Sequence, residues 1–228
     1  MSTMRGKAKA NYHHGDLRRT LMDISIDILK KHEVETLNLR KLAVLAGVSP
    51  GAPYHHFADR AELVAAIANE GFELLEGSMR KATAACANEA SARLEALGQA
   101  YVHFAISHPG YFRVMFRRET HNNATTAIRG AGQRTFQLLC AAITACQEDG
   151  SAPAGDPQPL VLHAWAAVHG LSTLLVDGDL KGISIPTQQL APVMTHLMRR
   201  MLIALAESTA TDNHATRSSP STGDANDL

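Results

Sequence analysis

The run Ala46-Gly47-Val48-Ser49-Pro50-Gly51-Ala52 decides the fold of this chain. Gly47 supplies the left-handed residue that ends a helix, and Val48 plugs the angle to the next one. Ser49 is a natural N-cap and Pro50 suits the first helical position, so a third short helix is expected to begin there. Pro53 would be its fourth residue and removes the amide bond to the Ser49 carbonyl, so this helix should start loosely. Tyr54 and Phe57 follow three apart, and Phe57 is expected in the core.

Upstream, Asn38 caps a helix over 39–46 whose inward side is Leu39, Leu42, Ala43 and Ala46. Before it, Asp16 caps a helix ending near His32, with Leu17, Leu21, Ile24 and Ile28 at helical spacing. Downstream, Asp59 opens a long helix to about residue 84, with Leu63, Ile67 and Leu74 as its inner stripe. Segments 89–107, 109–117, 122–148, 158–178 and 187–207 then read as larger apolar helices. The breakers between them are His108-Pro109-Gly110, 149–159 and 177–186. No segment alternates as a strand would. The fold class is therefore all-α: a three-helix N-terminal unit and a larger helical body, about nine helices in total. Domain bounds fall at 15–75, with the turn motif at 38–57, and at 85–207. Residues 1–14 read as a flexible basic arm and 208–228, rich in Ser, Thr, Asp and Gly, as a disordered tail.

With 228 residues, 24.5 kDa and 45% apolar side chains, the chain has ample material for a core. No apolar run approaches the ~18 residues of a membrane span, and no charged-then-apolar N-terminal segment with a cleavage site stands out. A cytoplasmic location without membrane contact is expected. Cys86, Cys140 and Cys146 fit neither a disulfide framework nor a zinc spacing. The zero net charge is unevenly distributed: residues 1–60 carry ten Lys/Arg against six Asp/Glu, leaving 12 against 16 elsewhere. A basic head on an acidic body suits an anionic partner for the head.

Two short helices joined by a glycine-bearing turn, behind a supporting helix, form a helix-turn-helix, whose projecting end fits the major groove of DNA. Ser49, Pro50, Gly51 and Ala52 are small and permit close approach, and Pro50 or Ala52 suits a thymine methyl. Tyr54, His55 and His56 offer hydroxyl and imidazole groups to phosphates or base edges. Arg40 and Lys41, beside the positive end of the second helix, suit phosphates. Arg5, Lys7 and Lys9 of the arm suit the backbone or the minor groove. The adjacent pairs His13-His14 and His55-His56 point apart on a helix, so no metal site and no cofactor is expected.

Residues 12–75 resemble the DNA-binding domain of the TetR/AcrR family of bacterial transcriptional regulators. The resemblance lies in Leu39-Arg40-Lys41-Leu42-Ala43, Ala46-Gly47-Val48-Ser49, Tyr54-His55-His56-Phe57 and Leu63. His55 departs from the Arg or Lys many relatives carry beside the tyrosine. Tyr12 to Arg18, Gly51 to Tyr54 and His108 to Phe116 resemble one subgroup, named for a Trp/His/Gly signature matched by Trp165, His169 and Gly170. The resemblance implies an all-helical homodimer that binds a palindromic double-stranded DNA operator. It also implies that the protein usually represses, and that a small-molecule effector entering the C-terminal domain releases it.

The residues support a dimer independently. In 158–178, Leu160, Ala164, Ala167, Leu171 and Leu174 form one stripe, and Val161, Trp165, Val168 and Leu175 a second beside it. A helix apolar on both sides needs cover on both. The last helix repeats this with Leu190, Met194, Leu197 and Met201 beside Met198, Leu202 and Leu205. Tyr101, Phe104, Tyr111, Phe112, Met115, Phe116, Phe136 and Cys140 concentrate in the middle helices as candidate ligand residues, joined by Trp165 and His169 four apart on one face. Arg113 and Arg117, also four apart, suit an acidic effector or an exposed salt-bridging face. The rival readings are an all-helical enzyme acting on a small apolar molecule, for which no catalytic motif stands out, and an unregulated DNA-binding protein.

Overall fold

The computed structural model describes residues 16–86, 89–117, 126–178, 180 and 186–217. Eight α-helices and two 3-10 segments lie among them, with no strand among the described residues. The arm and its Arg5, Lys7 and Lys9 lie outside them.

Helix α1, Leu17–Leu29, starts where Asp16 accepts a hydrogen bond from the Arg19 amide at 2.9 Å. Leu21, Met22, Ile26 and Leu29 are its most buried apolar residues, while Leu17, Ile24 and Ile28 pack at the margin of the core. The expected stripe is thus rotated, because α1 is covered by two other helices at once. These are α2, Leu39–Ala46, and α5, Pro109–Met115. Helix α2 buries Leu39, Leu42, Ala43 and Ala46 as its spacing predicts.

Helix α3, Arg60–Ala84, is held at its start by the Asp59 carboxylate, which accepts from the Glu62 amide at 2.9 Å. Glu62 returns the bond by accepting from the Ala58 amide at 2.6 Å. Its buried stripe passes through Ile67, Gly71 and Leu75, and Leu74 is 41% exposed, contrary to the expected stripe. The four-residue step from Ile67 is kept by Gly71, which lets α5 lie against α3. A Cβ on Gly71 would lie 2.7 Å from the Met115 sulfur.

Helix α4, Ala90–Ser107, packs on α3 and is surrounded by α6, Thr126–Glu148, α7, Gln158–Asp177, and α8, Thr187–Arg217. On α7 the buried residues are Val161, Ala164, Val168 and Leu171, drawn from both expected stripes. The opposite side leaves Leu162 62% exposed, and Leu197 on α8 is 58% exposed. Helix α7 is long and apolar enough, by length and composition, to cross a membrane, contrary to the expectation that no stretch is. Its buried face, however, packs into the helical body. The last helix runs to Arg217, past the boundary read at 207.

Candidate nucleic-acid interface and ligand cavity

The head presents its polar surface through local capping. Asn38 Oδ1 accepts from the amides of Arg40 at 2.9 Å and Lys41 at 3.3 Å, which leaves both side chains exposed at the positive end of α2. Gly47 has φ 70°, and the Val48 amide closes the helix end on the Ala43 carbonyl at 3.0 Å.

The third helix differs from expectation. Ser49 makes no side-chain cap, and residues Ala52–His55 form a 3-10 segment whose N-cap position is Gly51. The cause is Pro53. With no amide to reach Ser49, the Ser49 carbonyl accepts from Ala52 at 3.0 Å instead, an i to i−3 bond. The Phe57 amide then returns to Pro53 at 3.0 Å. Pro53 and Phe57 are buried and anchor the segment, and the Arg18 guanidinium lies over the Phe57 ring at 5.3 Å. Ser49, Pro50, Gly51, Tyr54, His55 and His56 are exposed and Ala52 is half-buried.

Gly51 has an ordinary φ of −84°, and a Cβ there would meet nothing within 4 Å. The fold does not require a glycine at this position. A side chain at this position would project into open space. Val44 is 73% exposed and Leu45 57% exposed, one helical turn beyond Arg40 and Lys41. Both stand at i+4 from the two cations, a relation that is legible in the sequence. They place apolar surface beside the basic edge.

The body contains a cavity of about 440 Å³. Helix α3 contributes Phe72 and Met79, α4 contributes Leu94, Gly98 and Tyr101, and α7 contributes Trp165 and His169. Of the ten candidate ligand residues, Tyr101, Phe116, Phe136, Trp165 and His169 line this space. Phe112 instead lines a smaller cleft of about 270 Å³, which shares Phe116 and His169 with the cavity. Four candidates face elsewhere. Phe104 is buried and stacks on His108 at 4.9 Å. Met115 fills the gap over Gly71. The Tyr111 hydroxyl donates to Glu70 at 2.9 Å. Cys140 is half-buried outside the lining.

At one end of the cavity the Tyr101 hydroxyl and His169 Nδ1 are 2.8 Å apart. Burial lowers the His169 pKa, favouring the neutral ring, and raises that of Tyr101, keeping its phenol protonated. At the other end Arg199 lies 3.6 Å from Glu95.

Two polar links join head and body. Glu70 on α3 pairs with Arg19 of α1 at 2.5 Å and also holds Tyr111 of α5. Arg113, near the end of α5, lies 3.3 Å from Asp177 and donates to the Val176 carbonyl at 2.9 Å. Arg117 pairs with Glu33, at 3.5 Å, and Glu35 in the α1–α2 connection. The two arginines therefore form a salt-bridged face between the head and the end of α7.

An exposed helix-turn-helix edge on a helical, cavity-bearing body is the architecture of a DNA-binding protein with a separate sensing domain. Residues 94–201 match the family described as tetracyclin repressor-like, C-terminal domain. No curated protein sequence matches the chain. Among solved structures, a protein with unknown function from Rhodococcus sp. RHA1 is 34% identical. It superposes with a TM-score of 0.72 over 86% of this chain and 100% of that one. A tetR-family regulatory protein from Rhodococcus RHA1 is similar at 19% identity and TM-score 0.67, over 81% of this chain and 96% of that one. The transcriptional regulator FadR from Bacillus subtilis, solved with stearoyl-CoA, gives 15% identity and TM-score 0.65 over 79% and 96%. Residues 94–201 thus belong to the tetracyclin repressor-like C-terminal domain family, and the chain shares the fold of tetR-family regulatory proteins.

Proposed function

We propose that this chain is a TetR-family DNA-binding transcriptional regulator, a cytoplasmic homodimer that holds a palindromic operator, represses, and lets go when a small, mostly apolar molecule fills its cavity. One observation carries this reading. Helix α3 begins three residues after Phe57 of the reading segment and, farther along, supplies Phe72 and Met79 to the cavity wall. At 1.5 Å per residue, its 25 residues reach roughly 37 Å as one rigid body. An occupant that shifts the inner end of α3 tilts the outer end, and with it the reading segment. A hundredfold loss of operator affinity needs only about 2.7 kcal/mol of such coupling.

The contacts proposed for DNA are Arg40 and Lys41 to phosphates, the small Ser49 to Ala52 turn against base edges, and Tyr54, His55 and His56 beside it. The second copy is proposed to cover Leu162 and Leu174 of α7 and Val193 and Leu197 of α8, which are exposed apolar residues in the single chain. Within the family, Trp165, His169 and Gly170 support the subgroup with that signature. The enzyme reading is disfavoured because burial pushes the Cys140 and Cys146 thiols up, away from the reactive thiolate.

Light scattering of the full chain on a bound operator duplex tests the assembly. Two chains, or a multiple of two, per duplex are expected. A single chain per duplex contradicts the proposal.

A further inference from the structure

If the cavity is the effector site, a reading this inference rests on, its polar groups narrow the effector's chemistry. Among the described lining residues the ionised side chains are Glu95 and Arg199, and both are committed. Arg199 Nη1 lies 3.6 Å from Glu95, its Nε donates to Ser91 Oγ at 2.9 Å, and it also pairs with Glu89. Glu95 additionally accepts from Gln99 at 3.3 Å. An ionised ligand would find no uncommitted countercharge here, and desolvating it without one is costly.

The opposite end offers a single directed group. The Tyr101 hydroxyl lies 2.8 Å from His169 Nδ1, and with the phenol as donor that nitrogen accepts. A ring that accepts at Nδ1 and stays neutral carries its proton on Nε2. Phe116 and Phe112 pack around the imidazole with centroids at 4.7 and 5.6 Å, which fixes its plane. Nε2–H has no partner among the described residues.

We propose that the cavity selects an electrically neutral, mostly apolar molecule carrying one carbonyl-type acceptor, read by the second N–H of His169 with Tyr101 as its positioning residue. The carbonyl oxygen accepts from that N–H, and the rest of the molecule meets Phe72, Leu94, Phe136 and Leu139. A carboxylate of the same size loses its hydration and gains one hydrogen bond.

The chain has one tryptophan, Trp165, and it lines the cavity, so its fluorescence reports occupancy directly. The full-length protein is titrated with cyclododecanone, cyclododecanecarboxylate and cyclododecylammonium, with melting shifts as a second readout. The ketone should bind saturably, and both ions at least about tenfold more weakly. His169→Leu should weaken the ketone about three- to tenfold, and His169→Gln, which keeps an N–H donor, should recover most of that. Tyr101→Phe should weaken the ketone and lower the ratio of ketone to carboxylate affinity, a change that mere loosening of the core would not produce. A ring freed of the Tyr101 proton can take a second one of its own and pair with the carboxylate. Equal binding of ketone and carboxylate, an unaffected His169→Leu, or no saturable response to any probe overturns the inference. Selective ketone binding that leaves operator affinity unchanged upholds it and removes the effector reading instead. Release of DNA by the carboxylate alone does the reverse.

Discussion

A Cβ on Gly110 would lie 2.5 Å from the backbone oxygen of Ile26, so α5 of the body rests directly on α1 of the head. Backbone cannot yield as a flexible side chain can. Gly110→Ala should therefore cost about 1–3 kcal/mol in a urea melt, as an overpacked contact does. A loss below about 0.5 kcal/mol would show that the two helices separate freely.

Gly51 should separate stability from binding. Its φ is ordinary and its surroundings are open, so Gly51→Ala should hold or raise stability by about 0.4–1 kcal/mol through the unfolded chain. Operator affinity should fall, because the added methyl stands between the turn and the groove. Melting and fluorescence anisotropy on one preparation check both halves.

Arg40→Ala and Lys41→Ala should weaken binding to all duplexes alike. Each should reduce the slope of log affinity against log salt by about one. Tyr54→Phe removes one hydroxyl from an exposed side chain and should leave that slope unchanged.

The Arg117 pairs with Glu33 and Glu35 are partly exposed and should add little stability, roughly 0.2–1 kcal/mol. They nevertheless span head and body. Arg117→Ala should leave the melt nearly unchanged while shrinking the loss of operator affinity that a cavity ligand produces. An undiminished response would remove these pairs from the coupling route.

Burial holds His169 below the ordinary imidazole pKa of ~6.5, so the unfolded chain binds the proton more readily than the native one. The neutral ring's contribution is fully present above that ordinary value and is lost as pH falls through the depressed native one. Urea melts should show stability dropping across that window, and His169→Leu should flatten the drop. The same protonation fills Nδ1 and ends its acceptance from Tyr101.

Much of the head was legible because its signals are local. Asp16, Asn38 and Asp59 each cap the helix they precede, and Gly47 takes the left-handed conformation that ends α2. The third element was legible as a turn but not in type, because losing one amide at Pro53 shifted the bonding to i−3. The cavity was half legible. Periodicity places Tyr101 and Phe104 on one helix but does not fix its rotation against neighbours, and only Tyr101 reaches the cavity. Close approaches such as Gly71 on Met115 and Gly110 on Ile26 join residues distant in sequence, so nothing local announces them.

Selection of duplexes from a random pool by the full-length protein at ~0.15 M salt tests the central claim most directly. The account predicts an inverted repeat whose half-sites lie about one helical turn apart, ~34–36 Å. Retention of duplexes without sequence preference, or of a single unrepeated half-site, would contradict it.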